Sequence, residues 1–467
     1  MNPSASTAPE TGIQYVGLEK VDGPLVVIKG IHNIGWGELV EVEDSSGRLR
    51  MGNVLEASDG AAIIQVFDGT YGLQMNRTKA RFTGECLRIP ASEQMLGRVF
   101  NGLGQPQDGG PPPITKARWD VNGLPINPTA RDYPRKYIHT GISAIDALNT
   151  LVRGQKLPIF SGSGIAHNTL AAQIVRQARI VGEDLQFAVV FGAMGIKHDV
   201  ARFFMDSFES SGVMEKVVVF LNLADDPPIE RIITPRAALT VAEYLAFEAD
   251  MHVLVILTDM TNYCESLREV SVVRGEIPSR KGYPGYLYSD LASLYERAGM
   301  IKGKTGSITQ MPLLTMPNDD ISHPVSDLSG YITEGQIVLD RELHQKGVYP
   351  PIACLPSLSR LMKDGIGPGM TRDDHAPVAS QLFAAYSHVK DIRALASVIG
   401  EEELAPLDKK YMEFGVAFES RFLAQSSTES RSMDETLDLG WSVLSILPRE
   451  ELYRIPDEMI AKHYGRH

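Results

Sequence analysis

GQKLPIFSGSGIAHNTLAAQIVRQARIVG, residues 154 to 182, is the stretch whose reading decides the fold. An apolar strand carrying Leu157, Ile159 and Phe160 runs into a Gly-Ser turn, and a helix-forming segment with Leu170, Ala171, Ala172, Ile174 and Val175 follows at once. Strand, glycine-rich loop and helix in that order form the setting of a phosphate-binding P-loop. Laid on the pattern G-x-x-x-x-G-K-[ST], residues 162 to 169 read G-S-G-I-A-H-N-T. Gly162 and Thr169 fit, Ser163 and Gly164 lie inside the loop, His167 takes the place of the second glycine and Asn168 that of the lysine. An ordinary glycine-rich strand-to-helix turn has the same local look.

The missing lysine matters because phosphoryl transfer rests on positioning and charge stabilisation, and that lysine puts a point charge on the terminal phosphates. Asn168 is neutral. His167 adds a Cβ where glycine lets backbone approach a ligand, and an imidazole carries no assured charge near neutral pH. The loop is therefore expected to be vestigial, with weak or no nucleotide binding and no efficient hydrolysis.

Outward from this stretch, apolar runs alternate with helical segments: QFAVVFG (186 to 192), KVVVFLNL (216 to 223) and HVLVILTD (252 to 259) are separated by stretches such as AALTVAEYLAFEA. Runs apolar on both faces predict a mostly parallel sheet covered on each side, an α/β core. Upstream, PLVVIKG, GELVEVE, RLRMGNVLEA and AAIIQVF are punctuated by turns about every ten residues, which predicts a small antiparallel β-barrel. The Gly/Pro-dense residues 100 to 136 read as a connector without regular structure. Beyond Gly369 the apolar period becomes helical, with breaks at Pro406 and Pro448. The expected division is a barrel over 1–90, an α/β nucleotide-binding-like domain over 91–369 and a helical domain over 370–467.

The totals fit a multidomain globular protein: 467 residues, 43% hydrophobic and 22% charged. A net charge of -13 argues against a nucleic-acid surface. Cys86, Cys264 and Cys354 are far apart and signal neither a disulfide framework nor a zinc site, so no metal of its own is expected. The N-terminus lacks the pattern of a secretion signal, and no apolar run is long enough to span a bilayer. A cytoplasmic setting is expected, with any membrane attachment through partners.

Three further positions bear on chemistry. Asp259 ends the apolar run HVLVILTD, where a P-loop protein places the carboxylate that holds magnesium or its water. Ile196, in FGAMGIKHD, ends the next apolar run after the loop with an alkyl group, which cannot accept a proton or polarise water. Arg360, in PSLSRLMKDGIGPGM, reads either as a surface arginine or as an arginine finger presented to a phosphate on a neighbouring chain.

The segments ARDYPRKYIHTGISAID (130 to 146), LTDMTNYCESLREVS (257 to 271), GYPGYLYSDLASLYERAG (282 to 299) and 306 to 363, which contains PSLSRLMK, resemble the B subunit of V/A-type rotary ATPases. The resemblance covers nearly the whole chain. In the rotary ATPases the resemblance points to, the catalytic A subunit has an intact loop and a glutamate that orients the attacking water; here the loop is degenerate and Ile196 falls where that glutamate would. The resemblance implies a non-catalytic, regulatory subunit in a hexamer of three A and three B chains, coupled to proton or sodium transport and ATP synthesis. Central-stalk rotor and peripheral-stalk subunits would be its other partners, and it would lie at the cytoplasmic face of a membrane. Carried over, Arg360 is the finger acting in trans on Mg-ATP or ADP at the A-subunit interface. Asp259 is the Walker B position, residues 162 to 169 are the vestigial loop, and Tyr331 in SGYITEGQ is an A/B interface contact. The alternative is a stand-alone hexameric export ATPase of related fold that uses His167 in place of the lysine.

Overall fold

The computed structural model describes residues 13–465 apart from 59, 68, 116, 124 and 181–185. The polar first dozen residues and the last two of the opening stretch lie outside them.

Seven short strands between Ile13 and Cys86 form one antiparallel sheet in the order Ile13–Val16, Lys79–Cys86, Glu38–Glu43, Leu49–Ser58, Ala61–Val66, Leu25–Lys29 and Lys20–Asp22. Period-two alternation turns Val26, Ile28, Val40, Val42, Val54, Ile64, Val66 and Phe82 into a common apolar core. On the outer face Glu41 pairs with Arg81 and Glu43 with Lys79, each directly opposite in register. This is the expected barrel.

The connector contains more regular structure than its Gly/Pro content predicts. Val99–Asn101 adds a parallel edge strand beside Val217–Leu223, Arg118–Asp120 pairs with Arg88–Pro90, and Arg131–Asp132 pairs with Gly299–Ile301. These pieces are only two or three residues long, and the sheets they join supply the partners that their sequence does not announce.

The central sheet runs Leu358–Ser359, Gly335–Val338, Ile159–Gly162, Ser307–Met316, His252–Thr258, Phe187–Ile196, Val217–Leu223, Val99–Asn101. All neighbours on this path are parallel except the first pair. Apolar side chains from the two faces feed two separate cores, one under Pro228–Phe247 and Met260–Val273 and the other under His167–Gln177 and His198–Ser210. The strand Ser307–Met316 is fully buried over nearly its whole length, although Thr309, Gln310 and Pro312 interrupt its apolar run.

After residue 370 come the helices His375–Ile399, Pro406–Ala417, Met433–Leu444 and Asp457–His463. Pro406 sits at the first turn of its helix, where a missing N–H costs nothing. Ser432 and Glu435 close a reciprocal capping box on the third helix. The apolar core of this bundle is continuous with one face of the central sheet: Ile145, Ile159 and Leu313 share a single buried cluster with Val378, Phe418 and Trp441.

Candidate functional site

The loop after Ile159–Gly162 turns into the helix His167–Gln177 through Gly164, whose φ of 80° suits a residue without Cβ. The His167 Nδ1–H points back at the carbonyl of Ile165 (3.0 Å) and lies 3.2 Å from Ser161 Oγ. Nδ1 is thereby spent as a donor inside the loop and does not face outward to a ligand. Asn168 and Thr169 are half-buried in the first helical turn.

A carboxylate from elsewhere in the chain occupies the ground beside the loop. Asp319 approaches Gly162 so closely that a Cβ built there would lie 1.9 Å from its Oδ1. Arg341 holds this carboxylate with a fork, Nε to Oδ2 at 2.6 Å and Nη2 to Oδ1 at 2.8 Å, and the same Nη2 donates to Ser163 O at 2.8 Å. The guanidinium keeps the Asp319 carboxyl below the usual carboxylate range, so its charge persists. An ion pair internal to the chain thus sits against the first two residues of the loop.

Asp259 stands where the sequence places it, at the end of the strand His252–Thr258, one strand removed from the loop strand. Its duties are structural. Oδ1 accepts from Thr261 N (2.8 Å), capping Met260–Val273, and from Thr315 N (3.2 Å), while Oδ2 accepts from the Thr315 hydroxyl. Thr315 lies opposite Ser161 on the intervening strand, which links this carboxylate to the loop. Ile196 is buried at the end of its strand. At this loop the cation is absent, the opening glycine faces a fixed carboxylate, and both oxygens of Asp259 already accept from protein donors. Among the described residues no cluster of three or more His, Cys, Asp and Glu is placed to hold a metal ion.

Arg360 lies at the edge of the sheet nearer to the loop strand, with Gly335–Val338 between them, but at the opposite end of the strands from the loop. It follows the two-residue strand Leu358–Ser359, antiparallel to Gly335–Val338. Its backbone N–H donates to Glu334 O (2.9 Å). The preceding Ser359 donates through its hydroxyl to Thr150 O (2.8 Å) and accepts from Gln155 Nε2 (2.9 Å), and that carboxamide also donates to Glu334 O (3.1 Å). Buried Lys156 locks Glu334 in turn, Nζ to Oε1 at 2.9 Å and N to Oε2 at 2.8 Å. The side chain of Arg360 itself is exposed and has no hydrogen bond or ion pair to any described residue. Its root is fixed and its guanidinium is free. Tyr331 is 72% exposed on the helix Pro324–Ile332, two residues before the turn that leads to Gly335–Val338.

Sequence reasoning did not find Asp319, Arg341, Thr315 or Gln155. They come from three separate segments, Thr315 and Asp319 being near neighbours on and just after the strand Ser307–Met316, and none sits in a pattern that marks it.

Three family models match consecutive parts of the chain: the beta-barrel domain of the ATP synthase alpha/beta family over residues 19–84, its nucleotide-binding domain over 141–359, and the C-terminal domain of V and A type ATP synthase over 364–464. The chain is 62% identical over 452 residues to the V-type ATP synthase beta chain 2 of Treponema pallidum, covering 97% of this chain and 94% of that one. It is 62% identical over 451 residues to the V-type ATP synthase beta chain of Halothermothrix orenii, with 97% of each covered. The A-type ATP synthase B subunit of Aeropyrum pernix is 59% identical over 454 residues, covering 97% and 98%. Among solved structures, the ATP synthase subunit NeqB from Nanoarcheaum equitans superposes with a TM-score of 0.72 at 41% identity, over 90% of this chain and 98% of that one.

Proposed function

The chain belongs to the family of V- and A-type ATP synthase B subunits, and from that premise we propose that it is the non-catalytic partner in a ring, lending Arg360 to an ATP site on a neighbouring A subunit. Three such chains would alternate with three A subunits. ATP hydrolysis or synthesis at the shared interfaces would be coupled, through central-stalk and peripheral-stalk subunits, to proton or sodium movement across a membrane to which this chain is attached only by partners.

The observation that carries the reading is a contrast within one sheet. The loop that would bind this chain's own nucleotide has no lysine and carries the Asp319–Arg341 pair against its first two residues, while the edge strand presents an arginine with an anchored backbone and an unengaged guanidinium. A planar fork held this way can meet the charge developing on a transferring phosphoryl group without first breaking an internal ion pair. Mg-ATP or ADP would be held chiefly by the A subunit. Exposed Tyr331 would pack against that neighbour.

Arginine fingers contribute about 10³ to 10⁵ in rate in other nucleotide hydrolases. An A/B complex rebuilt with Arg360→Ala is expected to keep its ring on sizing and to lose ATPase turnover by well over tenfold. A loss below about tenfold overturns the finger, and ATP hydrolysis by this chain alone favours instead the stand-alone export-type ATPase.

A further inference from the structure

Arg360 has an acidic residue beside it and is not paired with it. The antiparallel register of Gly335 with Ser359, continued by one residue, sets Glu334 opposite Arg360, and the bond from Arg360 N to Glu334 O (2.9 Å) joins the two backbones. Residues directly opposite in an antiparallel pair hold their Cβ atoms about 5 Å apart, within reach for a carboxylate and a guanidinium, and opposite charges so placed attract.

The Glu334 carboxylate is taken from elsewhere. Lys156 Nζ lies 2.9 Å from Oε1, and the Lys156 backbone N–H donates to Oε2 at 2.8 Å, so both oxygens are held. The same Nζ lies 2.8 Å from Glu296 Oε1, and Arg131 Nη2 donates to Glu296 Oε2 at 2.7 Å. Charges of alternating sign thus run Arg131, Glu296, Lys156, Glu334, and Arg360 stands just beyond the last of them. The Lys156 side chain is 4% exposed. A buried ammonium needs carboxylates to offset its lost hydration, and enclosure keeps it from swinging to another partner. Without Lys156, Arg131 still compensates Glu296, whereas Glu334 is left facing Arg360.

We propose that Lys156 is a positioning residue for the finger, taking Arg360's role at the neighbouring ATP site as stated above: by holding both oxygens of Glu334 it keeps that carboxylate from capturing the guanidinium. An arginine tied into an internal ion pair has to leave it before meeting charge on a phosphoryl group, and the cost subtracts from transition-state stabilisation. Lys156 does this without touching nucleotide.

Steady-state ATPase assays of the rebuilt A/B complex, with a crystal structure of the variant chain, test the idea. Lys156→Met should lower kcat at least about threefold with KM nearly unchanged, the split expected of a lost transition-state contact. The same substitution should cost less than about 1.5-fold where Arg360 is already Ala, and less than about 1.5-fold where Glu334 is already Gln. In the crystal of the Lys156→Met chain the Arg360 guanidinium should lie within about 4 Å of a Glu334 carboxylate oxygen. Lys156→Gln, which removes the charge and keeps a donor, serves the same comparisons if the methionine variant does not fold. No loss from Lys156→Met, an equal loss in all three backgrounds, or an Arg360 that stays free in the crystal overturns the role of Lys156 alone. If Arg360→Ala by itself costs less than about tenfold, the finger is overturned and the role of Lys156 falls with it.

Discussion

Arg360 was legible as a residue and not as a geometry. The sequence around it marks a turn before the helical segment, but what holds its backbone is Glu334, Gln155 and Thr150, drawn from loops more than twenty positions away. A second residue shows how burial and neighbouring charge set a charge state. His252 is enclosed between Arg153, which can only donate to its Nε2 (3.1 Å), and Ser307 (2.8 Å from Nδ1). Burial first, and then the positive charges of Arg153 and Lys136, push its imidazole from the ordinary 6.5 down to about 4. As pH falls below about 6.5 the unfolded chain takes up this proton while the folded chain refuses it until about 4. Stability from this group is therefore full above that window and lost on descending through it, by an amount on the order of 3 kcal/mol. The urea midpoint should fall more between pH about 7 and about 4.5 in the natural chain than in His252→Asn. Equal pH dependence in the two would contradict the neutral buried imidazole.

At the scale of elements, the strands with uniform apolar runs were readable and the central strand Ser307–Met316 was the hard case. Its polar residues are inside because they serve neighbours: Thr309 Oγ1 receives Gly154 N (2.8 Å), Gln310 donates to Leu294 O (3.1 Å), and Thr315 binds Asp259. Periodicity registers such residues as interruptions, whereas the fold uses them as fasteners. The short edge strand Leu358–Ser359 is another element that no pattern announces, and it depends on one glycine. Gly335 has φ 130°, and a Cβ there would meet Leu358 O at 1.9 Å. Gly335→Ala should displace the edge strand, at a stability cost of about 1–3 kcal/mol. ATPase turnover of the rebuilt A/B complex should then fall toward that of Arg360→Ala, with Arg360 itself unchanged. Gly330→Ala, with open space around the added methyl, is the matched control and should leave turnover where it was. If both substitutions behave alike, the edge strand does not set the position of the arginine.

For the whole molecule, the succession of barrel, α/β layer and helices was visible in composition and period, because each class has its own spacing of apolar residues. The continuity between the second and third was not. The barrel keeps a core of its own, while the central sheet and the helical bundle share one, from Ile145 and Leu313 through to Trp441. Hydrogen bonds reinforce that join: Gln425 accepts Ser143 N (2.8 Å) and donates to Gly141 O (2.9 Å), and His375 Nε2 donates to Ala147 O (3.0 Å). Differential scanning calorimetry is therefore expected to resolve two transitions, one for the barrel and one for everything beyond it. A chain ended near residue 365 should lose the second transition and aggregate, having exposed the face that the bundle covers. Three transitions, or an intact central transition in the shortened chain, would show that the bundle is an independent unit.

The Asp319–Arg341 pair against the loop also bears on its repair. A loop that had lost only its lysine could recover it by one reversion. Here Asn168→Lys would return an ammonium to a loop whose opening glycine already touches a carboxylate, so the new cation would have an anion of the chain's own competing with phosphate for it. Removing Asp319 first would leave Arg341 without its carboxylate partner against the loop carbonyl. Neither substitution alone therefore rebuilds a phosphate site: restoring the cation and freeing the loop from its own carboxylate have to happen together, with His167 still in the place of the second glycine.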